Sequence, residues 1–135
     1  MAGETDLTAI LDGLTVARRP GRFTVVTLAD GAAPPSLAEP GIEAVMAETE
    51  GTTVVVAVAE AEARGWRVDY VAAWLTIEIH SSLEAVGLTA AVSTALAAEG
   101  IPANVLAAYH HDHLLVPADK ADRAIEALHR LRSRG

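Results

Sequence analysis

Along this chain the spacing of hydrophobic positions switches from two to three or four and back. Trp74-Leu75-Thr76-Ile77-Glu78-Ile79-His80 alternates strictly, so Leu75, Ile77 and Ile79 share one face of a strand over residues 70–80. Beyond it Leu88, Ala91, Val92, Ala95 and Leu96 recur at helical spacing and form one apolar stripe. Ser81, three positions before Glu84, has the spacing of a capping box, which predicts a helix over 83–99. Gly100 and Pro102 end it, because glycine turns left-handed at little cost and proline cannot continue a helix. Two short runs follow, at 103–109 and 113–116, too close to be joined by anything but a hairpin. Asp119 then stands as the cap of a last helix, with Ala121, Ala124, Ile125, Leu128 and Leu131 as its inner face.

The order is strand, helix, strand, strand, helix: one strand short of a ferredoxin-like βαββαβ unit of the α+β class. The first half repeats the outline in weaker form. Leu7, Ile10, Leu11 and Leu14 fall on one face of a short helix with Gly13 near its end. Residues 15–19 suit a short strand, closed by Pro20-Gly21, and 22–29 a better one, rich in β-branched side chains. Residues 30–41 carry three prolines and two glycines and read as loop, in the place of the first helix. Residues 42–49 and 52–59 make a hairpin around Glu50-Gly51, followed by a helical turn or two over 60–65.

The expected halves are therefore a degenerate one over 1–66 and a fuller one over 67–135. The run from Arg67 is long enough to finish the first sheet before starting the second. Nothing after Arg132 can supply the second half's missing strand, so residues 15–19 are assigned to it. Two interlocked units with antiparallel sheets are the result.

Composition changes this picture only by exclusion. One hundred and thirty-five residues, 51% of them hydrophobic, can bury a core without staples. The absence of cysteine excludes disulfides, thiolate metal sites and cysteine nucleophiles, and fits a reducing compartment. A net charge of -8 argues against a nucleic-acid partner, whose phosphates demand a basic surface. The basic cluster Arg130, Arg132, Arg134 lies at a helix C-terminus, where cations suit the dipole. The longest uncharged run is too short to span a bilayer and the acidic N-terminus is unlike a signal peptide, so the expectation is a cytoplasmic protein without a membrane partner.

Gly87-Leu88 at the opening of the predicted helix, and Gly100-Ile101 leading into the next strand, resemble the signature of ACT-type regulatory domains. The segments HSSLEAVGLTAAV and NVLAAYHHDHLLVP are similar to short bacterial proteins built of two tandem ACT-like halves. The likeness is specific over roughly residues 70–132, and the first half is assigned by length and position. It implies a non-catalytic module that binds an amino acid or related small ligand near the first strand-to-helix loop, at domain or subunit interfaces. It departs from the family where Val86, rather than an acidic-x-Pro sequence, precedes Gly87, and in a hairpin rich in histidine.

In such a topology the first and third strands are antiparallel neighbours. His80, Ser81, Ser82, the helix N-terminus and the His110-His111-Asp112-His113 hairpin are then expected to crowd one rim. Unpaired N–H groups and a partial positive charge there suit a carboxylate. The candidate ligand-binding set is His80, Ser81, Ser82, Gly87, Asn104, His111 and His113, with no cofactor implied. Each has a plainer reading: the serines as helix caps, Gly87 for close helix-to-sheet packing, Asn104 in a turn. A second hypothesis is a divalent-metal site of His80, His111, Asp112 and His113, since His111 and His113 share a strand face. Glu78 and Glu84 can act as acid and base, but nothing pairs them with a nucleophile, so no enzymatic constellation is found. A third reading is an oligomerising scaffold, with a homodimer formed through sheet edges.

Overall fold

The computed structural model describes residues 7–79 and 87–134. Its elements are α1 (Leu7–Asp12), β1 (Thr15–Leu28), β2 (Ile42–Glu48), β3 (Gly51–Ala57), α2 (Val58–Ala63), β4 (Ala72–Glu78), α3 (Leu88–Ala98), β5 (Asn104–Ala107), β6 (Asp112–Pro117) and α4 (Ala121–His129). They form two compact units, one of residues 1–19 with 73–135 and one of residues 20–72.

In the larger unit the strand order is β1-β4-β6-β5, with β1 entering through its first residues. Residues 15–19 therefore lie beside the first strand of the second half, the place its missing strand required. The Thr15 hydroxyl donates to the Glu78 carbonyl at 3.3 Å. At the other end of the segment the Arg19 guanidinium lies 4.0 Å from the centre of the Trp74 ring. These contacts run Thr15 to the end of β4 and Arg19 to its beginning, so the two strands are antiparallel. Ala73, Leu75 and Ile77 of β4 join Leu114 and Val116 of β6 on one face. Leu88, Val92 and Leu96 of α3 and Ala121, Ala124, Ala127 and Leu128 of α4 cover that face, with Ile10 and Leu14 from the α1 region.

Several boundaries differ from expectation for identifiable reasons. The segments 15–19 and 22–29 are one strand, not two, running through Pro20-Gly21. Proline lacks a donor but accepts an extended φ, and Gly21 at φ 98° absorbs the local distortion without a Cβ clash. Residues 67–71 form no strand, so β4 does not also complete the first sheet. Asp119 is not the cap of α4: it sits within a 3-10 turn, Ala118–Lys120, that precedes the helix. The α3 stripe is correct, yet the helix begins only at Leu88, with Gly87 as its N-cap residue in a left-handed conformation. The Ser81/Glu84 pair lies outside the described residues. The other end is as the sequence requires. Gly100 at φ 71° donates to Ala97 O at 2.9 Å, and Ile101 donates to Leu96 O at 3.0 Å, a Schellman closure.

The smaller unit has the order β2-β3-β1, antiparallel throughout, with Phe23 opposite Ala57 and Leu28 opposite Thr52. Val26, Ile42, Val54, Val56 and Ala61 form its core. The proline-rich stretch does replace a helix, and ionic contacts pin it. Glu39 accepts from Arg64 at 2.9 Å while Arg64 also reaches Glu60 at 2.7 Å.

Because residues 15–19 complete the larger unit, residues 67–135 expressed alone are expected to lose cooperative unfolding. Urea denaturation followed by circular dichroism checks this. A sharp monomeric transition with a slope appropriate to the segment's size would show that β4 does not need that neighbour.

Candidate functional site

The start of α3 is shaped by one glycine. Gly87 has φ 97°, a region that side-chain-bearing L-residues rarely enter, and among the described residues no side chain caps the helix. A Cβ at this position would also meet Leu7 Cδ2 of α1 at 3.3 Å. The sequence offers Gly87 for close approach, and the neighbour that uses the space is an apolar side chain. Its carbonyl opens the helix ladder by accepting from the Ala91 N–H at 2.9 Å. His80, Ser81 and Ser82 lie outside the described residues.

Beside this helix start is a shallow apolar recess of about 10 Å³, room for about one water. Ile77 of β4, Leu88, Thr89 and Val92 of α3, Val105 of β5, and Asp112 and Leu114 of β6 line it. Alternation along β6 explains why Asp112 is present: Leu114 and Val116 face the helices, so Asp112 continues the same row. His113 has the opposite parity. It points to the face away from α3, where it meets Trp74 and Thr76 of β4.

That face carries the histidine cluster. The Trp74 indole donates to His113 Nδ1 at 3.2 Å, and the Thr76 hydroxyl lies 2.9 Å from the same nitrogen. An indole N–H can only donate, so Nδ1 must be the bare nitrogen and the ring a neutral Nε2–H tautomer. His111 follows on the same face, its ring centre 6.4 Å from that of His113. Asn104 is placed elsewhere: it pairs with Leu115, at the far end of the β5–β6 ladder from the hairpin's tip. Among the described residues no group of three or more His, Asp or Glu side chains is arranged to hold a metal ion.

Sequence reasoning did not single out Arg19, Trp74, Thr76 or Thr89. Strict alternation in β4 does put Trp74 and Thr76 together on the face away from Ile77. The apolar run of β6 hides which parity is which.

His129 repeats the chemistry of His113, accepting from the Val16 N–H through Nε2 at 3.2 Å. Both imidazoles are held below the ordinary histidine range. Burial is the leading cause at His113, reinforced by Arg19 and His111 and opposed by Asp112; at His129 it is burial, then Arg132. The sign follows: stability from these neutral rings is complete above the unfolded value near 6.5 and is lost as pH falls through the lowered folded values. Melting temperature is therefore expected to drop on acidification from pH 7 to pH 5. His113→Gln and His129→Gln should each flatten that dependence, and a profile unchanged in both would remove the two rings as its source.

The chain matches the ACT domain family twice, over residues 2–73 and over residues 70–130. No curated protein matches it. A Vibrio cholerae protein of unknown function, described as a possible transport protein, is 33% identical, with a TM-score of 0.81 over 95% of this chain and 97% of its own. Clostridium acetobutylicum aspartate kinase shares 11% identity and a TM-score of 0.58, covering 88% of this chain and 34% of the kinase. A putative C-terminal regulatory domain of aspartate kinase from Porphyromonas gingivalis shares 15% identity and a TM-score of 0.56, over 87% of this chain and 95% of that one. The last two show likeness of fold alone. Consecutive matches that together span residues 2–130, with a relative one-third identical over nearly its whole length, establish that this chain belongs to the ACT domain family, with two ACT-like halves in tandem.

Proposed function

We propose that this protein is a non-enzymatic regulatory module that binds a small carboxylate-bearing metabolite, an amino acid above all, beside the start of α3. The observation that carries the reading is Gly87: a left-handed glycine followed by Leu88 at the start of α3, the place of the Gly-Leu to which the chain's likeness to ACT-type domains points. The first-turn N–H groups of a helix and its dipole suit an anion. The description of one structural neighbour as a putative regulatory domain supports the same reading. His80, Ser81 and Ser82 stay in the proposed ligand set by their place in the chain, between β4 and Gly87. We read the working context as cytoplasmic and the assembly as a homodimer.

A metal-binding role has less support. His113 Nδ1 already accepts from Trp74, and its other nitrogen carries the proton, so coordination would require breaking that bond. His111 and His113 would be the ligands to watch.

A thermal-shift screen of the amino acids against divalent cations tests the proposal. A ligand at a hundred times its Kd adds about 2.7 kcal/mol to the apparent stability of the state it binds. An amino acid is expected to raise the melting temperature. Stabilisation by metal ions with none by any amino acid would sink the reading in favour of its rival. Gly87→Ala should cost roughly 1–2 kcal/mol through the left-handed backbone and weaken ligand binding beyond what its lower stability accounts for. Isothermal titration well below the variant's melting temperature separates the two effects.

A further inference from the structure

We infer that His129 is an acid-operated clasp: the neutral ring holds residues 15–19 of β1 to the end of α4, and its protonation frees that edge while the rest of the larger unit stays folded. β3 pairs with β1 over Phe23–Leu28. Before that register the segment 15–19 has β4 on one side and, among the described residues, no strand on the other. The outward-facing N–H groups of such an edge need a partner or water. At Val16 the partner is an imidazole: its N–H donates to His129 Nε2 at 3.2 Å, in a part-buried place. A peptide N–H can only donate, so Nε2 is the bare nitrogen and the proton of the neutral ring sits on Nδ1. This is the opposite tautomer to that of His113.

The ring is presented by a fixed element, and the strand is the part free to leave. Ala124, Ala127 and Leu128 root α4 in the core of the larger unit, whereas Val16 is only partly buried against it. A second tie between strand and helix, Arg18 to Asp122 at 3.4 Å, contributes little, because the Asp122 side chain is 96% exposed. Protonation of Nε2 turns the acceptor into a donor that faces another donor, so the Val16 contact is lost outright. Among the surrounding charges, Arg132 of the 3-10 turn after α4 (Arg130–Arg134) bears on the ring, adding to burial in disfavouring its protonated form; Asp12 of α1 does not. Arg130 is engaged by Glu99 and Glu126, Arg18 by Asp122, and Glu78 of β4 by the Thr15 hydroxyl. Once the strand is released, the ring returns toward its ordinary value near 6.5. The clasp is therefore complete above that value and opens as pH falls through the lowered value of the closed state. Local opening of this kind needs no global unfolding.

The test is amide exchange of the full chain followed by NMR at pH 7 and pH 5, with rates corrected for the intrinsic pH dependence of exchange. Protection of the Val16 amide should fall roughly fivefold on acidification, the equilibrium worth of one ordinary hydrogen bond, while amides of β4 and β6 keep theirs. Nitrogen shifts of the His129 ring should show the Nδ1–H tautomer at pH 7. His129→Gln, whose amide oxygen accepts an N–H but does not titrate, should make Val16 protection independent of pH, at whatever level. His129→Leu removes the acceptor and should leave Val16 weakly protected at both values. In His113→Gln the acid response at Val16 should persist, since that ring acts on Trp74. An Nε2–H tautomer at pH 7 or a wild-type protection that ignores pH overturns the inference. So does an acid response kept in His129→Gln or lost in His113→Gln, or a loss shared equally by β4 and β6. Should His129→Leu fail to fold, the tautomer and His129→Gln decide the matter alone.

Discussion

A sheet strand cannot leave its backbone donors and acceptors unpaired in a buried position, and in this protein that constraint falls on β4. Its residues from Ala72 to Leu75 are buried and Ile77 is 2% exposed, so both long edges of the strand need partners. β6 serves one edge. The other is served by residues 15–19, from the far end of the sequence, held by the Thr15–Glu78 hydrogen bond and by Arg19 over Trp74. The compact unit consequently joins residues 1–19 to 73–135. α1 follows from the same placement: once 15–19 is in the sheet, Ile10 and Leu14 reach the core under α3 and α4.

The same segment is tied down by neutral histidines. His129 accepts the Val16 N–H, and His113 accepts from the Trp74 indole on which Arg19 rests. A protonated imidazole has no lone pair to offer and would add a positive charge near Arg19 or Arg132. Both rings thus serve as acceptors first, which is why the histidine-rich hairpin gives little support to a metal site. Its acidic member has the opposite parity: alternation turns Asp112 toward the recess beside α3 and His113 away from it.

Much of the fold was legible in the order of residues. The period of two in β4 and the stripe Leu88, Val92, Leu96 identify a strand and a helix face, since buried area repays ordering only when one face is apolar. Gly100 ends α3 as its lack of Cβ allows. Reading a continuous β1 across Pro20-Gly21 was beyond local rules, because those residues usually close a turn and here only the surrounding strand keeps the chain extended. The start of α3 at Leu88 is likewise a matter of backbone geometry: Gly87 enters the left-handed region just before it, which spacing alone does not specify.

What the sequence by itself determined is therefore the inventory: two tandem halves with their helices and strands. Only the tertiary structure decided which side chains meet. The run His113–Val116 is polar at one end and apolar at the other, so its own pattern does not say which parity faces the helices; the packing of Leu114 and Val116 against α3 and α4 does. Once that row is chosen, a shift of one residue separates Asp112, at the recess, from His113, on Trp74. Periodicity is a local property, but the choice of face is made by burial, and burial depends on elements distant in the chain.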